Sequence, residues 1–129
     1  MPLAKGEFEV QTIPQPPEDP AVSIGRMVLD KKFHGDLEAA SKGQMLAAGT
    51  SVPGSAGYVA MEMVSGALAG RSGTFVLQHL GIMNRSVPHL SVTVVPDSGT
   101  GELVGLAGKM TIAITGGKHF YEFDYTLDV

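Results

Sequence analysis

Through most of its length the chain alternates apolar and polar residues with a period of two, and turn residues interrupt the alternation about every ten to fifteen positions. Successive side chains of an extended strand point to opposite faces, so the pattern is that of antiparallel strands with one buried and one wet side. Seventeen glycines and eight prolines supply the interruptions. In the first strand Gly6, Phe8 and Val10 share one face, and Lys5, Glu7, Glu9 and Gln11 share the other. No stretch carries a convincing helical stripe. Leu37 to Ala48, rich in alanine, is the one segment where a helix competes, and Gly43 and Gly49 weaken it.

The turns set the register. Thr115-Gly116-Gly117-Lys118 has the paired glycines of a tight two-residue hairpin. Counting back from it places Ile114 opposite His119, Ile112 opposite Tyr121, Met110 opposite Phe123 and Leu106 opposite Leu127. The expected buried face is therefore Ile112, Ile114, Tyr121, Phe123, Tyr125 and Leu127, while Lys109 with Asp124 and Thr111 with Glu122 face water. A second hairpin turns at His34-Gly35-Asp36, with Phe33 opposite Leu37 and Lys32 opposite Glu38. Met27 and Leu29 then join Leu37, Ala39 and Met45 on the buried side. Further strands fall near 57–69, 71–83 and 87–96, joined by Ala69-Gly70 and Asn84-Arg85-Ser86. Pro14-Gln15-Pro16-Pro17-Glu18-Asp19-Pro20 cannot donate regular ladder bonds and reads as an extended surface loop, or alternatively a rigid lid. About eight strands in a meander predict one all-β domain, residues 1–129, closed into an antiparallel eight-stranded barrel. Such a barrel is either packed with side chains or holds one small ligand.

Composition removes several functions. A net charge of -4 with no basic run disfavours nucleic acid. With no cysteine there is no disulfide, thiolate nucleophile or thiolate metal site, and with no Trp and three Tyr a base-stacking platform is poorly supplied. No apolar run approaches a membrane span and no basic-then-apolar leader opens the chain, so the expected location is cytoplasmic with no membrane partner. Asn84-Arg85-Ser86 reads as a turn rather than a glycosylation site. Gly99-Thr100-Gly101-Glu102-Leu103-Val104-Gly105 leads into a strand, not a helix, and so fails as a phosphate loop. The four histidines lack helical metal-ligand spacing, with His34 and His119 read as solvated beside turns. There is no Gly-x-Ser-x-Gly elbow or Ser-x-x-Lys pair, and neither metal nor cofactor is expected.

The polar residues within apolar strands carry the chemistry. Glu62 sits in Tyr58-Val59-Ala60-Met61-Glu62-Met63-Val64, and Gln78-His79 follows Phe75-Val76-Leu77. An inward carboxylate is desolvated, which raises its pKa and suits it to acid or base work. An even loop at Ala69-Gly70 puts Glu62 on one face with Val64, Leu68, Phe75, Leu77 and His79; an odd loop puts Gln78 there instead. Glu62, His79 and Gln78 are thus the candidate catalytic residues, and Phe75, Leu77, Val92, Tyr121, Phe123 and Tyr125 the candidate ligand-binding walls. The inward reading leaves Val59, Met61 and Met63 outside as a subunit contact, predicting a homo-oligomer. In the opposite reading Glu62 faces water and the methionines line the core.

Three blocks, Lys32-Phe33-His34-Gly35-Asp36-Leu37-Glu38, Gly70-Arg71-Ser72-Gly73-Thr74-Phe75-Val76-Leu77-Gln78-His79 and Val94-Val95-Pro96-Asp97-Ser98-Gly99-Thr100-Gly101-Glu102-Leu103, resemble the recurring blocks of an uncharacterised bacterial domain family. That family is similar in fold to allene oxide cyclase, so the resemblance implies a closed eight-stranded barrel but no activity. The chain departs from the pattern at Val92, where an aromatic is expected, and at Met63, where a basic residue is expected, changes that would enlarge or grease a site. The expected function is a barrel binding a small, mostly apolar molecule in its interior. The alternatives are a cofactor-free isomerase or cyclase using a buried carboxylate, and a packed barrel acting only in self-association.

Overall fold

The computed structural model describes residues 2–17, 19 and 21–127. Its strands are β1 (Leu3–Pro14), β2 (Gly25–Gly35), β3 (Leu37–Gly49), β4 (Ala56–Leu68), β5 (Arg71–Asn84), β6 (Val87–Val94), β7 (Ala107–Thr115) and β8 (Lys118–Thr126). Each pairs antiparallel with its sequence neighbours, and β8 returns to β1, so a meander closes into a barrel without free lateral edges. The alanine-rich 37–48 segment is a strand, because its alternate residues are needed to line the barrel. Pro14 ends β1 opposite Met27 instead of opening the loop that follows. Of that loop, Glu18 and Pro20 lie outside the described residues.

The C-terminal hairpin has the register its alternation dictates, with Ile114 opposite His119, Ile112 opposite Tyr121 and Met110 opposite Phe123. Gly116 and Gly117 make the turn at φ values of 59° and 79°, in the left-handed region that glycine enters freely. The β2–β3 hairpin differs from expectation: Phe33 faces Ala39, not Leu37, and Lys32 faces Ala40, not Glu38. The connection is wider because Gly35 and Asp36 also bind β1, where Asp36 N–H donates to the Lys5 carbonyl and Asp36 Oδ2 accepts from Lys5 N–H. The displacement is two residues, so every side chain keeps its face.

The interior has two unlike halves. At the end bearing the β2–β3, β4–β5 and β6–β7 connections, Phe33, Leu37, Leu68, Phe75, Phe123 and Tyr125 pack into one apolar core. The β6–β7 connection folds across this end through a short 3-10 turn at Gly101–Leu103, and Leu103 and Leu106 plug it, both buried. Thr74 N–H donates to Thr100 Oγ1, and Ser72 N–H to Glu102 Oε1, which pins the plug to β5. Tyr121 Oη accepts from Leu37 N–H and donates to the His34 carbonyl, both at 2.9 Å, clasping the β2–β3 turn to β8.

The other half ends in an exposed rim. Along β6 and β7, Val92 faces Met110 and Thr93 faces Lys109, and these two pairs are the whole of the β6–β7 pairing among the described residues. The inward side of the barrel is exposed there, to 42% at Leu90 and 67% at Ile114. Ile114 is therefore not part of the buried face assigned to it: it has the right register, but it stands at the rim rather than over the core.

Candidate functional site

The alternation of β2 that turns Met27, Leu29 and Phe33 inward also turns Lys31 inward. That of β3 brings in Ser41, that of β4 brings in Glu62, and that of β5 brings in His79. All four are buried. The connection at Ala69-Gly70 has two residues, since Leu68 faces Arg71. This is the even loop, and it puts Glu62, Leu77 and His79 on the inner face. Gln78 lies opposite Met61 on the outer surface and is exposed, so it has no access to Glu62.

Lys31 Nζ lies 2.8 Å from Glu62 Oε2, and His79 Nε2 lies 3.5 Å from Glu62 Oε1. The ammonium also sits over the Phe8 ring, 5.0 Å from its centroid, where the negative face of the ring offsets part of its lost hydration. Gly43 faces Glu62 across the β3–β4 pair, and a Cβ there would come within 2.7 Å of Glu62 Cα, so glycine is what lets these strands approach. Neither carboxylate contact has good hydrogen-bond geometry. Both Glu62 oxygens, His79 Nε2 and Ser41 Oγ are buried without a hydrogen-bond partner among the described residues. Buried polar atoms are nearly always hydrogen-bonded, so this cluster is unusual, although Lys31 and His79 lie against the Glu62 charge.

The electrostatics reverse the sequence expectation for Glu62. Burial pushes its carboxyl up, but contact with His79 and the positive charge of Lys31 outweigh burial and hold it below the ordinary carboxylate range. Glu62 is therefore an anion at neutral pH. It is a base or a hydrogen-bond acceptor there, not an acid. Burial and the Glu62 charge both push the Tyr58 phenol up, so it stays protonated. Among the described residues no three His, Asp or Glu side chains converge as a metal site would require.

The candidate walls divide between the two halves. Leu77 and Val92 flank the cluster directly, facing Glu62 and His79 across their strand pairs. Phe75, Phe123 and Tyr125 stack on one another in the closed half, at centroid distances of 5.9 and 5.4 Å. Tyr121 spends its hydroxyl on backbone groups. The half-buried Met27, Met45, Tyr58 and Ile112 surround the cluster on its rim side instead. His119 is not solvated but half-buried, its ring 5.0 Å from that of Phe8. Met63 is 58% exposed on the outer face and so does not grease the interior, whereas Val92 lies inside. Lys31 and Ser41 are the members of this cluster that the sequence reading did not name. Their signal was present, because the parity that buries Leu29 and Phe33 carries Lys31 with it.

The family described as Protein of unknown function (DUF3224) matches residues 4–125. The chain belongs to this family. The DUF3224 chain is also similar to a crystal structure of a protein with unknown function from the same family, from Shewanella oneidensis MR-1. The two are 51% identical with a TM-score of 0.95, over 100% of this chain and 98% of that one. No curated protein matches. The solved member shares the fold of the DUF3224 chain, and neither its description nor the family's names an activity.

Proposed function

We propose that the rim half of the barrel binds a small, mostly apolar, uncharged molecule, whose polar end sits on Lys31, Ser41, Glu62 and His79. The observation that carries this reading is the buried cluster of Lys31, Ser41, Glu62 and His79, set among apolar walls below a rim exposed at Leu90 and Ile114. The Lys31 and Glu62 charges cancel, so a charged headgroup gains little there, while a hydroxyl or carbonyl finds both donors and acceptors. Methionine-rich apolar walls accommodate varied shapes. The same reading keeps the protein in the cytoplasm, where a cysteine-free chain needs no disulfide.

The methionines supply the test. In methyl-labelled protein, millimolar phenol or cyclohexanone is expected to shift the Met27, Met45 and Met110 resonances and to leave the outward Met61 and Met63 unmoved. Shifts confined to Met61 and Met63, or none at all, would defeat the proposal.

A second reading is supported by geometry: the Glu62 carboxylate, ionised though made a weaker base by Lys31 and His79, lies 2.8 Å from a lysine ammonium. A buried carboxylate is a competent base toward a C–H beside a carbonyl, and Lys31 would stabilise the oxygen on which negative charge develops. In an isomerisation of a β,γ-unsaturated ketone, Glu62 takes the proton between the carbonyl and the double bond and returns it to the γ-carbon, so no cofactor is consumed. On this reading Glu62→Gln abolishes turnover of 3-cyclohexenone with binding retained, whereas simple binding predicts no turnover by either protein.

A further inference from the structure

We propose that two copies of this chain associate through the outer faces of β4 and β5. The outward residues of these strands are Val59, Met61, Met63, Ser65 and Ala67, then Ser72, Thr74, Val76, Gln78, Leu80 and Ile82, and none of them is charged. The opposite wall is the reverse, with Lys5, Glu7 and Glu9 on β1, Asp30 and Lys32 on β2, and Glu122 and Asp124 on β8. A closed barrel solvated on all sides has no reason to segregate its charges in this way.

Leu46, Val59 and Leu80 stand abreast on β3, β4 and β5, each about half exposed, with Arg26 beside Leu46 and Lys42 beside Met63 marking the charged edge of the patch. Ile24, Met61, Met63 and Ile82 extend the patch to either side, also about half exposed. Together these seven residues offer roughly 700 Å² of accessible surface, close to the ~800 Å² that each partner gives to a standard stable interface.

The occupant is a second copy of the chain. An uncharged face rewards a partner that is itself uncharged, and an identical face meets that condition in a two-fold, self-complementary contact. Two barrel walls are each convex, and the flexible Met61 and Met63 fill irregular gaps between them. Glu62 lies between these two methionines on the inner side of β4, so the contact braces the strand that carries it.

Sedimentation velocity between 1 and about 100 μM tests the proposal. The expected result is a species of twice the 13.5 kDa chain mass at the upper end. Val59→Lys/Leu80→Lys should reduce it to the chain mass with an unchanged far-ultraviolet spectrum, while Thr111→Lys, on the outer face of β7, leaves it doubled. Without any substitution, dilution should shift the Met61 and Met63 methyl resonances and leave Met27 and Met45 in place. A wild-type protein of single-chain mass at 100 μM, dissociation by Thr111→Lys, or a monomer that instead floats with phosphatidylcholine vesicles would each overturn it.

Discussion

Burying an ammonium costs several kcal/mol unless a counter-charge meets it, and Lys31 meets Glu62 at 2.8 Å. Such a pair breaks even at best against apolar residues of the same volume, so stability alone does not account for it. Two outcomes follow. Lys31→Met should destabilise the barrel by about 3 to 5 kcal/mol, because Glu62 is left buried with only His79 beside it. Lys31→Met/Glu62→Met should recover most or all of that loss in urea denaturation, while the methyl shifts produced by phenol disappear. A double variant as unstable as the single one would make the pair a structural necessity instead. The pH dependence has a definite sign. Because the folded-state pKa of Glu62 is depressed, its contribution to stability is complete above the unfolded value of about 4.3 and is lost as the pH falls through the lower folded value. Thermal melting of wild type should therefore fall more steeply below about pH 4 than that of Glu62→Gln.

At the scale of strands and turns, most of the barrel was legible because two patterns had to agree: paired turn residues fixed the β7–β8 register, and alternation fixed which face was wet. Phe123 is fully buried in that hairpin, so Phe123→Ala should cost about 3 to 5 kcal/mol, whereas Ile114→Ala, at the rim, should cost less than about 1. Alternation reports parity and not depth, which is why Ile114 and Phe123 look equivalent in the sequence. It also misses a register change of two residues, as at the β2–β3 turn, where contacts with β1 decide the pairing. The site was half legible: Glu62 and His79 stood out as polar residues in apolar strands. Lys31 did not, because it is one of a Lys31-Lys32 pair that reads as a wet surface. The β4–β5 turn carries a further test. Ala69 holds φ 48° beside Gly70 at φ 83°, a left-handed conformation that costs alanine roughly 1 kcal/mol. Ala69→Asn should stabilise the protein by up to about 1 kcal/mol in urea denaturation, and a destabilised variant would show that the turn is relaxed as it stands.

The whole molecule is a barrel closed at one end by Leu103 and Leu106 and exposed along its rim at the other, with a charged cluster between the packed core and that rim. Aromatic packing in the closed half gives the barrel its stability, which leaves the rim half free to carry polar atoms that packing does not satisfy. Among the described residues no helix is long and apolar enough to cross a membrane. The central claim is that the middle of this barrel holds an ionised carboxylate paired with a lysine. Carbon-13 NMR titration of the Glu62 side-chain carboxyl tests it most directly. The predicted midpoint lies below about 4.3 in wild type and rises in Lys31→Met, where His79 alone is left to oppose burial. A wild-type midpoint above about 4.3, or one that Lys31→Met leaves unmoved, would contradict it.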